Sequence, residues 1–102
     1  MTDFSTQAAE ATLRMRKLFP ATPLQRNDYL SLAYDADIWL KREDLSPVRS
    51  YKLRGAYNAM SKQMDKQVFV CASAGNHAQG VAFVCRHMCK NGVIFMPVTT
   101  PQ

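Results

Sequence analysis

Val68-Phe69-Val70-Cys71-Ala72-Ser73-Ala74-Gly75-Asn76-His77-Ala78-Gln79-Gly80 joins two signals of different period. Val68 to Cys71 is a short apolar run of β-branched and aromatic type, which predicts a buried strand. Past Gly75, the residues Ala78, Val81, Ala82 and Cys85 recur at the spacing of one helix face, with Asn91-Gly92 as the expected stop. Val93-Ile94-Phe95-Met96 then predicts another strand. Upstream, Leu53, Ala56, Tyr57 and Met60 repeat the helical spacing, Ser50 is the expected cap, and Ile38-Trp39-Leu40 is a further β-type run. Strand, helix, strand, helix, strand predicts an α/β fold, a parallel sheet with flanking helices and right-handed crossovers.

The flanks fill in the rest. Gln7 to Phe19 favours a helix that Pro20 stops. Thr22-Pro23-Leu24 is extended because a residue before proline is pushed out of the helical region. A short helix is predicted over Asp28 to Tyr34, and Glu43-Asp44-Leu45-Ser46-Pro47 is a loop. Pro97-Val98-Thr99-Thr100-Pro101-Gln102 brings no helix to cover the last strand. A parallel sheet needs cover on both faces, so an uncovered apolar face is expected in a unit with no internal boundary.

Composition narrows the function classes. At 102 residues and 47% hydrophobic, the chain can bury a core, and no apolar run nears the ~20 residues of a membrane span. Met1-Thr2-Asp3-Phe4-Ser5 lacks the basic start and apolar stretch of a secretory signal, which makes the cytoplasm the expected compartment. Cys71, Cys85 and Cys89 are an odd number and fit reduced thiols. The net charge of +5 is spread from Arg14 to Lys90 among acidic residues, so it is read as a solvated surface with no nucleic-acid stripe. Metal ligation is not expected, since Cys85, Cys89 and the two histidines lack a second tight pair. Cys85, Met60, Met88, Met96 and Trp39 read as packing, and Glu43-Asp44 as a solvated acidic pair.

Ligands of open α/β sheets sit beyond the carboxyl ends of the strands, which directs attention to the loop before Tyr51 and to residues 72–77. In Ser50-Tyr51-Lys52-Leu53-Arg54-Gly55-Ala56, Lys52 falls in the first turn of a helix. The positive dipole end and nearby Arg54 both favour the neutral amine, the form that attacks an aldehyde, and Tyr51 can present its ring to a flat ligand. A solvated lysine on an amphipathic helix fits the same spacing. In the second loop, backbone N–H groups at a helix start can receive an anion, with Ser73 offering a hydroxyl, Asn76 an amide, and Gly75 a close approach or positive φ. A tight turn and cap, with Gly80 there for close helix–sheet packing, fits that stretch as well. Gly75 and Gly80 have the spacing of a nucleotide phosphate loop, but Val81-Ala82 stands where Lys and Ser/Thr are required.

Together, and in this order, Thr22-Pro23-Leu24, Leu40-Lys41-Arg42-Glu43-Asp44-Leu45, Ser50–Ala56 and Ala72–Gly80 resemble fold-type II pyridoxal-phosphate enzymes, the threonine and serine dehydratase branch above all. The resemblance implies an incomplete, N-terminal part of a tryptophan synthase β-like catalytic domain with pyridoxal 5'-phosphate as cofactor. It implies that Lys52 is the lysine bonded to the cofactor aldehyde and the base at Cα, that Tyr51 flanks the cofactor ring, and that Asn76 bonds the ring's phenolic oxygen. It also makes Ser73, Ala74, Gly75, Asn76 and His77 the loop for the substrate carboxylate. Threonine, with serine as a second substrate, would lose water, and hydrolysis of the resulting enamine would give 2-oxobutanoate and ammonia on the route to isoleucine, in a homo-oligomer. The family's glycine-rich phosphate loop and its polar residue at the pyridine nitrogen come later in its sequences and are not among these 102 residues, so this chain alone is expected to be inactive. A sister enzyme (serine racemase or a β-replacement synthase) and a non-enzymatic interaction module are the alternatives.

Overall fold

The computed structural model describes residues 3–101. Met1, Thr2 and Gln102, which belong to the opening and closing segments discussed above, lie outside the described residues. Helix α1 (Phe4–Arg16) starts earlier than Gln7 because the Asp3 carboxylate caps it, accepting from the Thr6 N–H at 2.7 Å. It also ends before Phe19, whose side chain turns into the core with Met15. Strand β1 (Leu24–Arg26), helix α2 (Asp28–Tyr34) and strand β2 (Trp39–Lys41) follow. Helix α2 falls where the sequence puts it, capped by Asn27 accepting from the Leu30 N–H at 2.8 Å.

The run at residues 38–40 does form a strand, but not in the expected sheet. Strand β2 pairs antiparallel with β1, with Leu24 opposite Lys41 and Arg26 opposite Trp39. The parallel sheet is therefore made by β3 (Val68–Ala72) and β4 (Asn91–Phe95) alone among the described residues, with Val70 opposite Val93. Helix α3 (Lys52–Met60) precedes β3, and helix α4 (Asn76–His87) connects the two strands.

Helices α3 and α4 make the core. Leu53, Ala56 and Met60 of α3 pack on Val81, Val84 and Cys85 of α4, joined by Met15 and Phe19. Leu53 and Val84 are fully buried, worth about 2 kcal/mol each in area removed from water. Ala82 does not share this face and is exposed, whereas Val84, outside the expected set, is buried. Helix α4 does not stop at Asn91-Gly92. Cys89 takes a left-handed conformation (φ 55°), and its N–H and that of Lys90 close back on Arg86 (3.3 Å) and Cys85 (2.8 Å). Asn91 and Gly92 are thereby freed to begin β4, and Gly92 leaves room for Cys85, whose Sγ lies 3.1 Å from where a Cβ would stand.

The parallel sheet is covered on one face only. Phe69 and Cys71 turn toward the core. On the other face Val68, Val70, Val93 and Phe95 are 43–63% exposed, so β3 is not the fully buried strand its composition suggests, and the expected uncovered apolar face is present. Trp39 and Met96, read as packing residues, are each 50% exposed. No helix of the described residues is long and apolar enough to cross a membrane.

Candidate functional site

The loop before α3 is built by Ser46. Its hydroxyl donates to the Ser50 carbonyl at 2.8 Å and accepts from the Ser50 N–H at 3.2 Å, while Arg49 adopts a left-handed conformation (φ 58°). This tight turn delivers Tyr51 to the cap position and Lys52 to the first residue of α3. Ser50 is not the cap: its own hydroxyl is buried and has no hydrogen-bond partner. Lys52 is half-buried, its amine 5.4 Å from the Tyr51 ring centroid, and it has no hydrogen bond or ion pair among the described residues. A cation over an aromatic face is held without an anion to quench it.

Arg54 does not act on Lys52 as a free charge. Its guanidinium grips Glu43 in two parallel bonds, Nε to Oε2 at 2.7 Å and an Nη to Oε1 at 2.8 Å, and stacks 5.0 Å from the Phe19 ring centroid. The same guanidinium donates to the Thr22 hydroxyl at 3.1 Å, and that hydroxyl donates to Glu43. The Arg54 hydrogen bonds, helped by Thr22 and by the Arg54 and Lys41 charges, hold the Glu43 carboxyl at about 2, well below its usual 4.5. Glu43 is thus a half-buried tie between α3 and the preceding loop, not half of a solvated acidic pair; Asp44 turns away to Arg42 at 2.7 and 2.8 Å. No spacing rule foretells this tie, since its partners are 11 and 32 residues from Arg54 in sequence.

The second loop is ordered by Ser73. Its hydroxyl accepts from the Gly75 and Ala78 N–H groups, each at 3.2 Å, so it satisfies a backbone donor in the first turn of α4, whose cap residue is Gly75. Its backbone N–H is fixed to the Phe95 carbonyl at 3.0 Å, tying the loop to the end of β4. Gly75 has negative φ (−139°) rather than the positive value its type allows, and no atom lies within 4 Å of where its Cβ would stand. The backbone N–H groups of Asn76 and His77 and the Asn76 carboxamide have no partner among the described residues. They sit exposed at the positive end of a 12-residue helix, where an anion is stabilised.

The helices that the two loops lead into touch at Gly80. A Cβ there would stand 3.4 Å from the carbonyl carbon and oxygen of Lys52 and from the Leu53 nitrogen. The close packing expected of Gly80 is therefore helix on helix, not helix on sheet. Asn76 lies one turn before it on the same face of α4. A cavity of about 200 Å³ opens alongside, between α3, α4 and β3, walled by Ala56, Ala59, Phe69, Cys71, His77 and Val81. A larger cleft of about 400 Å³ lies between α1 and α3 and touches none of the candidate residues. Among the described residues no three His, Cys, Asp or Glu side chains converge as a metal site would need.

Comparison with known proteins identifies the family. The chain is 57% identical over 95 residues to L-threonine dehydratase biosynthetic IlvA of Staphylococcus aureus (strain NCTC 8325 / PS 47), covering 90% of this chain and 22% of that protein. It is 62% identical over 84 residues to the protein of the same name from Bacillus subtilis (strain 168), covering 79% of this chain and 20% of that protein. The chain thus spans about a fifth of the length of these relatives. Among solved structures, threonine deaminase isoform 2 of Solanum lycopersicum superposes with a TM-score of 0.80 at 35% identity, over 99% of this chain and 30% of that one. Diaminopropionate ammonia lyase of Escherichia coli gives 0.86 at 25% identity, over 95% and 30%. The family model described as "Pyridoxal-phosphate dependent enzyme" matches residues 16–102, and with it the chain belongs to the pyridoxal-phosphate dependent enzymes of fold type II.

Proposed function

We propose that this chain carries the reactive lysine and the carboxylate loop of a threonine dehydratase, with serine as a second substrate and a place on the route to isoleucine. The observation that carries this proposal is the close contact of α4 with the first peptide of α3. At Gly80, α4 rests on the backbone of Lys52, and one turn earlier the same helix presents the free N–H groups of Asn76 and His77. An amine with no partner, an aromatic ring beside it, an unpaired carboxamide and open space at Gly75 together suit a flat, anionic aldehyde.

Pyridoxal phosphate, when bound, supplies an aldehyde that condenses with amines and a ring that withdraws electrons from Cα of the attached amino acid. Lys52 is the residue that would hold that aldehyde, and its amine, when free, would serve as the base for the Cα proton. The Tyr51 ring lies beside the Lys52 amine and would flank the cofactor ring. Asn76 would donate its amide to the ring's phenolic oxygen. The Asn76 and His77 N–H groups, on the backbone that Ala74 and Gly75 lead into, receive the substrate carboxylate. Ser73 holds that loop in shape through its two accepted bonds. A fixed carboxylate turns the Cα–H bond toward Lys52, and alignment of this kind supplies much of a rate enhancement. Elimination of the β-hydroxyl as water, followed by hydrolysis of the enamine so formed, would give 2-oxobutanoate and ammonia.

The test is a product assay on the full-length protein. Threonine should give 2-oxobutanoate, and Lys52→Ala should lower that rate by about a thousandfold or more. An undiminished rate in Lys52→Ala would remove the proposed role, and a racemised or β-substituted product without 2-oxobutanoate would favour a sister enzyme. A cytoplasmic homo-oligomer goes with the proposal, and sedimentation of the full-length protein checks the assembly.

A further inference from the structure

Two glycines lie on the paired helices, and they meet different surroundings. Gly55 on α3 has no atom within 4 Å of where a Cβ would stand. Gly80 on α4 is buried, and its Cβ position lies 3.4 Å from three backbone atoms of the single peptide that joins Lys52 to Leu53. We infer that Gly80 is a positioning residue for Lys52: the side chain at position 80 sets how far the reactive lysine stands from the carboxylate loop. The inference rests on the role proposed for Lys52 above.

One carbon at 3.4 Å is in ordinary contact, so alanine fits. A second carbon, about 1.5 Å further out, does not, because the atoms it meets are backbone and cannot rotate aside. Valine is the sharpest probe, since its two γ carbons leave one rotamer in a helix. Leu53, completely buried under the same peptide, packs on α4, so the added bulk is relieved only by loosening the α3–α4 packing. That motion separates the helices, and it carries Lys52 away from Asn76 and His77, which stay on α4 with their N–H groups intact. Substrate capture is thereby spared while the amine moves off the Cα proton.

The experiment compares Gly80→Ala and Gly80→Val in the full-length protein, with Gly92→Ala as a control. The control crowds Cys85 Sγ at 3.1 Å but touches nothing near Lys52. Two readouts are taken: kcat and KM for threonine, and the rate at which borohydride fixes pyridoxal phosphate on Lys52, mapped by peptide mass. Gly80→Val should lose about a hundredfold in kcat with KM little changed, as a displacement near 1 Å does, and trap slowly at Lys52. Gly80→Ala should behave as the unsubstituted protein, and Gly92→Ala should change stability but neither readout. Unaltered kcat and trapping in folded Gly80→Val overturn the inference while leaving the role of Lys52 intact. No trapping at Lys52 in the unsubstituted protein overturns both.

Discussion

Replacing Glu43 by glutamine should remove a pH-dependent part of the stability that no other group duplicates. The carboxylate is held at about 2 instead of 4.5 by two Arg54 hydrogen bonds with Thr22 in support. That difference corresponds to about 3 kcal/mol favouring the folded state when the group is ionised. Both partners are less than a third exposed, so solvent screening removes only part of it. Because the folded value is depressed, the contribution is complete above 4.5 and is lost as pH falls toward 2. Glu43→Gln keeps one acceptor for Arg54 but no charge, leaving a half-buried guanidinium without its counterion. Urea unfolding followed by circular dichroism at pH 7, 5, 4, 3 and 2.5 would compare the two proteins. Asp3, Asp37 and Asp44 are also held below their usual range by local hydrogen bonds, but they titrate equally in both and cancel. Glu43→Gln should be about 2–3 kcal/mol less stable at pH 7, with the gap closing below pH 4. Equal stability at pH 7, or a gap constant with pH, would refute the reasoning.

Two further substitutions probe the loops. Ser50→Ala removes a buried hydroxyl with no partner, so it should leave stability unchanged or raise it by about 1 kcal/mol; a loss of that size would mean the hydroxyl is bonded after all. Ser73→Ala should lower stability by about 1–2 kcal/mol and speed amide exchange at Gly75 and Ala78, and unaltered exchange at both would contradict its role as acceptor for those two N–H groups.

Much of this architecture is local and therefore legible in the residues. The helices α3 and α4 follow from apolar spacing, and β3 and β4 from short β-branched runs flanking α4. What escaped was long-range. A run such as Ile38-Trp39-Leu40 announces a strand but not its partner, so its antiparallel pairing with β1 could not be read from it. Cys89 stops α4 by a left-handed turn that its residue type does not advertise. At the site, Lys52 and the loop at residues 73–77 were recognisable by motif. The contact of Gly80 with the peptide joining Lys52 to Leu53 was not, because it depends on how two helices cross. Arg54 was misread as a neighbour of Lys52 because sequence proximity hides direction: two positions along a helix turn a side chain to another face.

One measurement bears most directly on the claim that Lys52 is the amine that bonds an aldehyde. The full-length protein is incubated with pyridoxal 5'-phosphate, reduced with borohydride, digested and mapped by mass. The reduced pyridoxyl group should be found on Lys52 in preference to Lys17, Lys41, Lys62, Lys66 and Lys90. Labelling spread across those lysines, with no excess at Lys52, would contradict it.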